Sequence, residues 1–223
     1  MDFKFGKKYI GDARKAFLIA EVAQAHDGSL GYAHSFIDAA SEAGVDAVKF
    51  QAHFAQYEST LDEPFRVNFS YEDNSRYDYW QRMEFTKEQW VGLKDHAESK
   101  ELEFLCTPFS SYAVDLLDDI GVVGWKIGSG DVGQKWLLEQ IAQTRKPVIF
   151  STGMSSIESV DSIYKYFKNK EIDFSILQCT SMYPTPLENT EIDVFLNYMQ
   201  MYDVPIGLSN HSGTVWPAVY AIA

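Results

Sequence analysis

VPIGLSNHSG, Val204 to Gly213, is the stretch on which the reading of the chain turns. Pro205 to Leu208 has the composition of a short buried strand, and Ser209, Asn210, His211 and Ser212 gather where it ends. In α/β proteins built on parallel strands, ligands collect beyond the carboxyl ends of the strands. A histidine among hydroxyls at such an end suits a metal or an anion. It equally suits a loop residue that caps the following helix, and taken alone the stretch leaves both open.

Working outward, the same unit recurs: a short apolar run, polar residues at its end, then a helical pattern. Phe17–Val22 (FLIAEV) carries Glu21, and the loop Ala23-Gln24-Ala25-His26-Asp27-Gly28 follows. Val45–Gln51 (VDAVKFQ) brings Lys49 and Gln51 to its end, and Glu103–Thr107 ends on Thr107. Val123–Gly128 (VGWKIG) carries Lys126 and leads to Ser129 and Asp131, and Pro147–Ser151 ends on Ser151. Phe174–Thr180 leads to Ser181, Tyr183 and the stiff Tyr183-Pro184-Thr185-Pro186.

Between these runs the apolar spacing is helical. One face carries Ala33, Phe36, Ile37 and Ala40 and stops at Gly44; others carry Trp90, Leu93 and Ala97, then Val114 and Leu117 behind a Ser110 or Ser111 cap. Trp136, Leu137 and Ile141 follow, then Val160, Ile163 and Phe167, then Ile192, Phe195 and Met199. Thr86 with Gln89, and Ser155 with Glu158, have capping-box spacing. Residues 52–85, rich in Tyr, Phe and charge, are too long for an ordinary connection and read as a functional lid or an oligomer contact.

Seven strands in βα alternation predict an α/β protein. No glycine fingerprint follows the first strand, which argues against a dinucleotide-binding sheet. Polar residues at every strand end predict a TIM (β/α)8-type barrel instead. The chain stops at Tyr220-Ala221-Ile222-Ala223, inside the helix after strand 7, so the barrel is expected to be truncated there, with residues 1–16 a lead-in or first hairpin and residues 17–223 the incomplete barrel.

Composition narrows the partners. Lys plus Arg total 19 against 32 Asp plus Glu, a formal charge of −13, which disfavours nucleic acid and anionic membranes. An anionic substrate must then be held by a few local cations. With no apolar leader or long apolar span, Cys106 and Cys179 read as reduced packing thiols of a cytoplasmic protein.

Lys49 lies between Val48 and Phe50, and Lys126 follows Trp125, so each is a charge in an apolar run. Two lysines with several hydroxyls suit a small di-anion such as a phosphate with a carboxylate. The plainer alternatives are a buried pair of Lys49 with Glu21 and a surface-facing Lys126. His26 is a candidate substrate contact; His34 and His96 fit surface or packing positions within helices, and His53 opens the long insertion with either role available.

The motifs AEVAQAHDGSLGYA, AGVDAVKFQ, FLCTPF, KIGSGD, STGM, LQCTSMYPTP and IGLSNHSG resemble, in order and spacing, the sialic acid synthase family. The resemblance runs from Phe17 to the chain end. It implies condensation of phosphoenolpyruvate with an N-acylated amino sugar, such as N-acetylmannosamine, to a nonulosonic acid. It also implies a divalent metal (Mn2+, with Mg2+ as the other choice), a homodimer, and a C-terminal antifreeze-like domain, which is expected to be absent from this stretch.

By resemblance, Lys49, Thr107, Lys126, Ser129, Ser151, Ser181 and Ser209 match phosphoenolpyruvate contacts. Glu21 matches a catalytic acidic residue, Tyr183 a sugar contact, and His211 the first of two metal histidines, the second belonging to strand 8. Gln51, at the end of its strand, is a substrate-binding candidate. Ser181 replaces an asparagine of some members, and Ala25-His26-Asp27-Gly28 replaces a more usual Asn-His-Asn-Gly. The competing expectations are a non-catalytic barrel that binds an anion at most, and an aldolase-type enzyme, for which no lysine has an obvious Schiff-base setting.

Overall fold

The computed structural model describes residues 2–11 and 14–223, which divide into two compact units, Phe17–Val123 and Met1–Ala16 with Gly124–Ala223. The chain opens with an antiparallel hairpin, β1 (Asp2–Phe5) and β2 (Lys8–Gly11), whose alternation buries Phe3, Phe5 and Ile10. Phe5 packs where a Cβ on Gly124 would stand, only 2.5 Å from its ring, so glycine at 124 is what lets it seat.

The Phe17–Val123 unit holds β3 (Ile19–Ala23), α1 (Leu30–Glu42), β4 (Ala47–Ala52), α2 (Ala55–Glu58), α3 (Arg76–Met83), α4 (Lys87–Ser99), β5 (Glu103–Pro108) and α5 (Ser111–Asp119). Its sheet runs β3-β4-β5, all parallel. Phe50 and Phe104 stack on one face of the sheet and meet Trp90 of α4. Period-2 alternation therefore turns Lys49 and Gln51 to the opposite face.

The second unit continues with β6 (Trp125–Ile127), α6 (Lys135–Gln143), β7 (Val148–Ser151), α7 (Ile157–Asn169), β8 (Phe174–Cys179), α8 (Ile192–Met201), β9 (Ile206–Ser209) and α9 (Trp216–Ile222). Its sheet runs β6-β7-β8-β9, again parallel. Phe150 and Phe174 pack with Phe167 of α7 on the helix face. That leaves Lys126, Ser151, Cys179 and Ser209 on the other face. A Cβ on Gly207 would lie 2.6 Å from Leu177 Cδ2, so glycine there leaves room for that side chain.

Several expectations need correction. Phe36, Trp136 and Met199 are not inward-facing; they are 37%, 44% and 58% exposed, while α8 buries Phe195 and Tyr198, an i, i+3 pair. The cap of α7 is Ser156, which accepts from the Ser159 backbone N–H, so the Ser155–Glu158 box does not form. Strand β9, expected to be buried, is half-buried. The Thr86–Gln89 capping box forms as expected, and Gly44 and Gly121 end their helices at positive φ.

Residues 52–85 contain α2, α3 and an edge-to-face cluster of Phe65, Phe69 and Tyr79. They are braced on their own unit by Arg82, whose guanidinium donates to both Asp73 oxygens, to Asp27 Oδ1 (2.6 Å) and to the Asp27 carbonyl (3.2 Å). Gly28, at φ +77°, lies so close to the Arg82 carbonyl that a Cβ would stand 2.4 Å from it.

Candidate active site

The second unit places a buried ammonium at a strand end. Lys126 is 5% exposed, against the surface-facing alternative. Its Nζ donates to the Ile127 carbonyl and to Ser151 Oγ, both at 2.7 Å, and Ser151 Oγ is 2.8 Å from Ser209 Oγ. The three side chains come from β6, β7 and β9. Burial draws the Lys126 pKa down to about 8, opposed by the nearby Cys179 and Asp131 side chains. Among the described residues its direct hydrogen-bond partners are thus neutral oxygens, which stabilise an ammonium less than a carboxylate does.

Ser129 and Ser181 converge on the same side from neighbouring loops. A Cβ on Gly153 would lie 2.3 Å from Ser181 Oγ, 2.9 Å from Ser129 Oγ and 3.1 Å from the Cys179 carbonyl. Gly153 is therefore the spacer that lets the two hydroxyls approach, a role the sequence did not signal beyond the glycine itself. Cys179 Sγ is 3.9 Å from Ser181 Oγ. Tyr183 is mostly exposed and its ring meets the His211 imidazole at 4.4 Å.

His211 anchors its loop as well, its carbonyl accepting from Thr185 N–H at 2.9 Å. Among the described residues no group of three or more His, Cys, Asp or Glu side chains is arranged to hold a metal.

In the Phe17–Val123 unit, Glu21 and Lys49 are register partners on β3 and β4, and Lys49 Nζ donates to Glu21 Oε2. The ion pair named as the plainer alternative is present. Lys49 is buried while the Glu21 side chain is 39% exposed, so the pair opens to solvent on its acidic side. Gln51 and Thr107 are likewise register partners. Cys106 is a buried thiol whose pKa burial pushes up, which suits packing rather than reactivity.

The histidines divide. His26 is fully buried against Phe85, its Nδ1 accepts from Gly28 N–H at 3.1 Å, and burial lowers its pKa to about 4. It shapes the first loop as a ring that is neutral at pH 7. His34 and His96 pair through their Nδ1 atoms at 2.9 Å between α1 and α4, a packing contact. His53 is buried beside Gln51, a position the sequence left open.

Comparison with known proteins gives this pattern its family. A sequence model described as the NeuB family matches residues 36–223. The chain belongs to the NeuB family. Human N-acetylneuraminate-9-phosphate synthase is 30% identical over 97% of the chain and 61% of its own length. The N,N'-diacetyllegionaminic acid synthase of Legionella pneumophila is 31% identical over 93% of the chain and 60% of its own length.

Among solved NeuB-like structures, the N-acetylneuraminic acid synthetase of Leptospira borgpetersenii serovar Hardjo-bovis, in complex with citrate, superposes with a TM-score of 0.87. It is 29% identical and covers 99% of this chain and 74% of that one. This NeuB chain spans about three-fifths of the length of the curated relatives it matches. Among its described residues no helix is long and apolar enough to cross a membrane.

Proposed function

We propose that this NeuB chain serves the condensation of phosphoenolpyruvate with an N-acylated amino sugar and water, giving a nonulosonic acid and inorganic phosphate. One observation carries the reading: a buried Lys126 ammonium whose hydrogen bonds go to neutral oxygens at a parallel-strand end. Such a charge is costly by itself and is offset when an anion arrives. Ser151, Ser209, Ser129 and Ser181 add hydroxyl donors of the kind that hold a phosphate or carboxylate.

In this reading the second unit binds and orients phosphoenolpyruvate, and fixed donors stabilise the charge that develops when its C3 attacks the sugar aldehyde. Water then adds at C2 and phosphate leaves by C–O cleavage. Glu21, paired with Lys49 and open to solvent, is positioned to accept or return a proton. Lys49, Gln51 and Thr107 are proposed to serve the same reaction, and Tyr183 to contact the sugar. Consecutive parallel strands are the order a (β/α) barrel uses, and a barrel frame is part of the proposal. The sugar is either N-acetylmannosamine or a bacterial diamino relative.

The test is phosphate release from phosphoenolpyruvate against a panel of N-acylated amino sugars, with Lys126→Met as control. Sugar-dependent release that disappears in Lys126→Met supports the reading, and release that survives it overturns the site.

A further inference from the structure

Buried histidines are held by what they touch, and His53 is held on every side. Its ring lies between Trp80 of α3 and Phe109, with centroids at 3.7 and 4.0 Å and planes within 9° and 13°. Both faces are covered, so only the two nitrogens can make polar contacts. Nδ1 is 2.7 Å from Glu58 Oε2, and the second oxygen of that carboxylate accepts the Phe54 backbone N–H, which fixes it. An ionised carboxylate only accepts, so Nδ1 carries the proton.

Nε2 faces Gln51 Oε1 at 3.5 Å, and Gln24 Nε2 donates to the same Gln51 oxygen at 3.5 Å. The charged or titratable neighbours are Glu58 on α2, Arg76 on α3 and His26 on the first loop. Burial lowers the His53 pKa below the usual 6.5, against the pull of Glu58, so the ring is neutral at pH 7 and Nε2 is a lone pair. A lone pair facing an amide oxygen is held at the outer limit of hydrogen-bond distance. The contact closes when the Gln51 amide turns its NH2 to the ring and the Gln24 amide, whose own oxygen has no hydrogen-bond partner among the described residues, turns with it to accept from that NH2.

We propose that His53 is a positioning residue for Gln51. Fixed between Trp80 and Phe109 and tied through Nδ1 to Glu58, it takes the Gln51 NH2 on Nε2 and leaves the Gln51 carbonyl oxygen to read a donor. The ligand group read there is a hydroxyl or an amide N–H, as an N-acylated amino sugar carries. The assignment of that ligand rests on Gln51 contacting substrate in the function proposed above; the orientation of the amide does not.

Ring-nitrogen NMR of the whole 15N-labelled chain at pH 7 tests the orientation without any reaction. The expected result is a protonated Nδ1, a pyridine-type Nε2, and a nitrogen–nitrogen coupling from Nε2 to the Gln51 amide. A protonated Nε2, or no coupling, overturns the proposal whether or not the chain makes a nonulosonic acid. The kinetic readout is His53→Asn, which keeps a donor for Glu58 and removes Nε2. KM for the sugar should rise roughly tenfold, the size of one lost hydrogen bond, with KM for phosphoenolpyruvate unchanged. Equal losses in both KM values would mark a general disturbance and overturn the specific role. A correct NMR signature in a chain inactive with every sugar would instead reject the function and keep the geometry.

Discussion

Lys49 and Lys126 make an instructive pair. Each lies in an apolar run on a parallel strand, each is 5% exposed, and each faces away from the helix layer of its own unit. Their electrostatics differ. Lys49 donates to the Glu21 carboxylate, whereas Lys126 donates to a carbonyl and a serine hydroxyl, and burial draws its pKa to about 8. Equal burial therefore does not mean equal function. A lysine with a carboxylate partner is already neutralised, and one among hydroxyls still favours an anion.

The largest effect that tests this contrast is Lys126→Met. Phosphoenolpyruvate affinity by calorimetry should fall about a hundredfold or more, while resistance to denaturant holds or improves, because a buried ammonium is replaced by a side chain of similar volume. If Lys49→Met costs the same affinity and no stability, the distinction between the two lysines fails.

The pH dependence sharpens it. Lys126 is lowered from 10.5 to about 8, so between those values the unfolded chain binds more protons and stability rises with pH, by up to about 3 kcal/mol. Anion binding runs the other way and weakens above pH 8, where the ammonium is lost. His26 behaves in parallel in the Phe17–Val123 unit. Lowered from 6.5 to about 4, it makes stability fall as pH drops through that window, and His26→Phe should flatten the acid limb of a denaturation-versus-pH series.

Gly153→Ala is expected to cost about 1–3 kcal/mol, since its Cβ meets the Ser181 and Ser129 hydroxyls, and adding Ser181→Gly should recover part of that loss in thermal melts. Glu21→Gln keeps an oxygen beside the buried Lys49 ammonium but removes its countercharge, so the stability lost should be about 1–3 kcal/mol, while turnover, if Glu21 moves a proton, drops far more.

The amino-acid sequence by itself determined the rhythm of seven parallel strands and most helix faces, because periodicity and caps are local properties. It also determined which residues stand at strand ends, and the motif series that resembles a synthase family. Three helix faces were misjudged at Phe36, Trp136 and Met199, since an aromatic or a methionine at the edge of an apolar stripe is buried only if a neighbour covers it. Partners were decided by tertiary structure alone. Whether Lys49 meets Glu21, whether Lys126 meets Ser151, and whether His53 lies between two aromatic rings depend on residues brought together across strands and loops. Sequence spacing fixes the direction of a side chain, and packing fixes what stands in front of it.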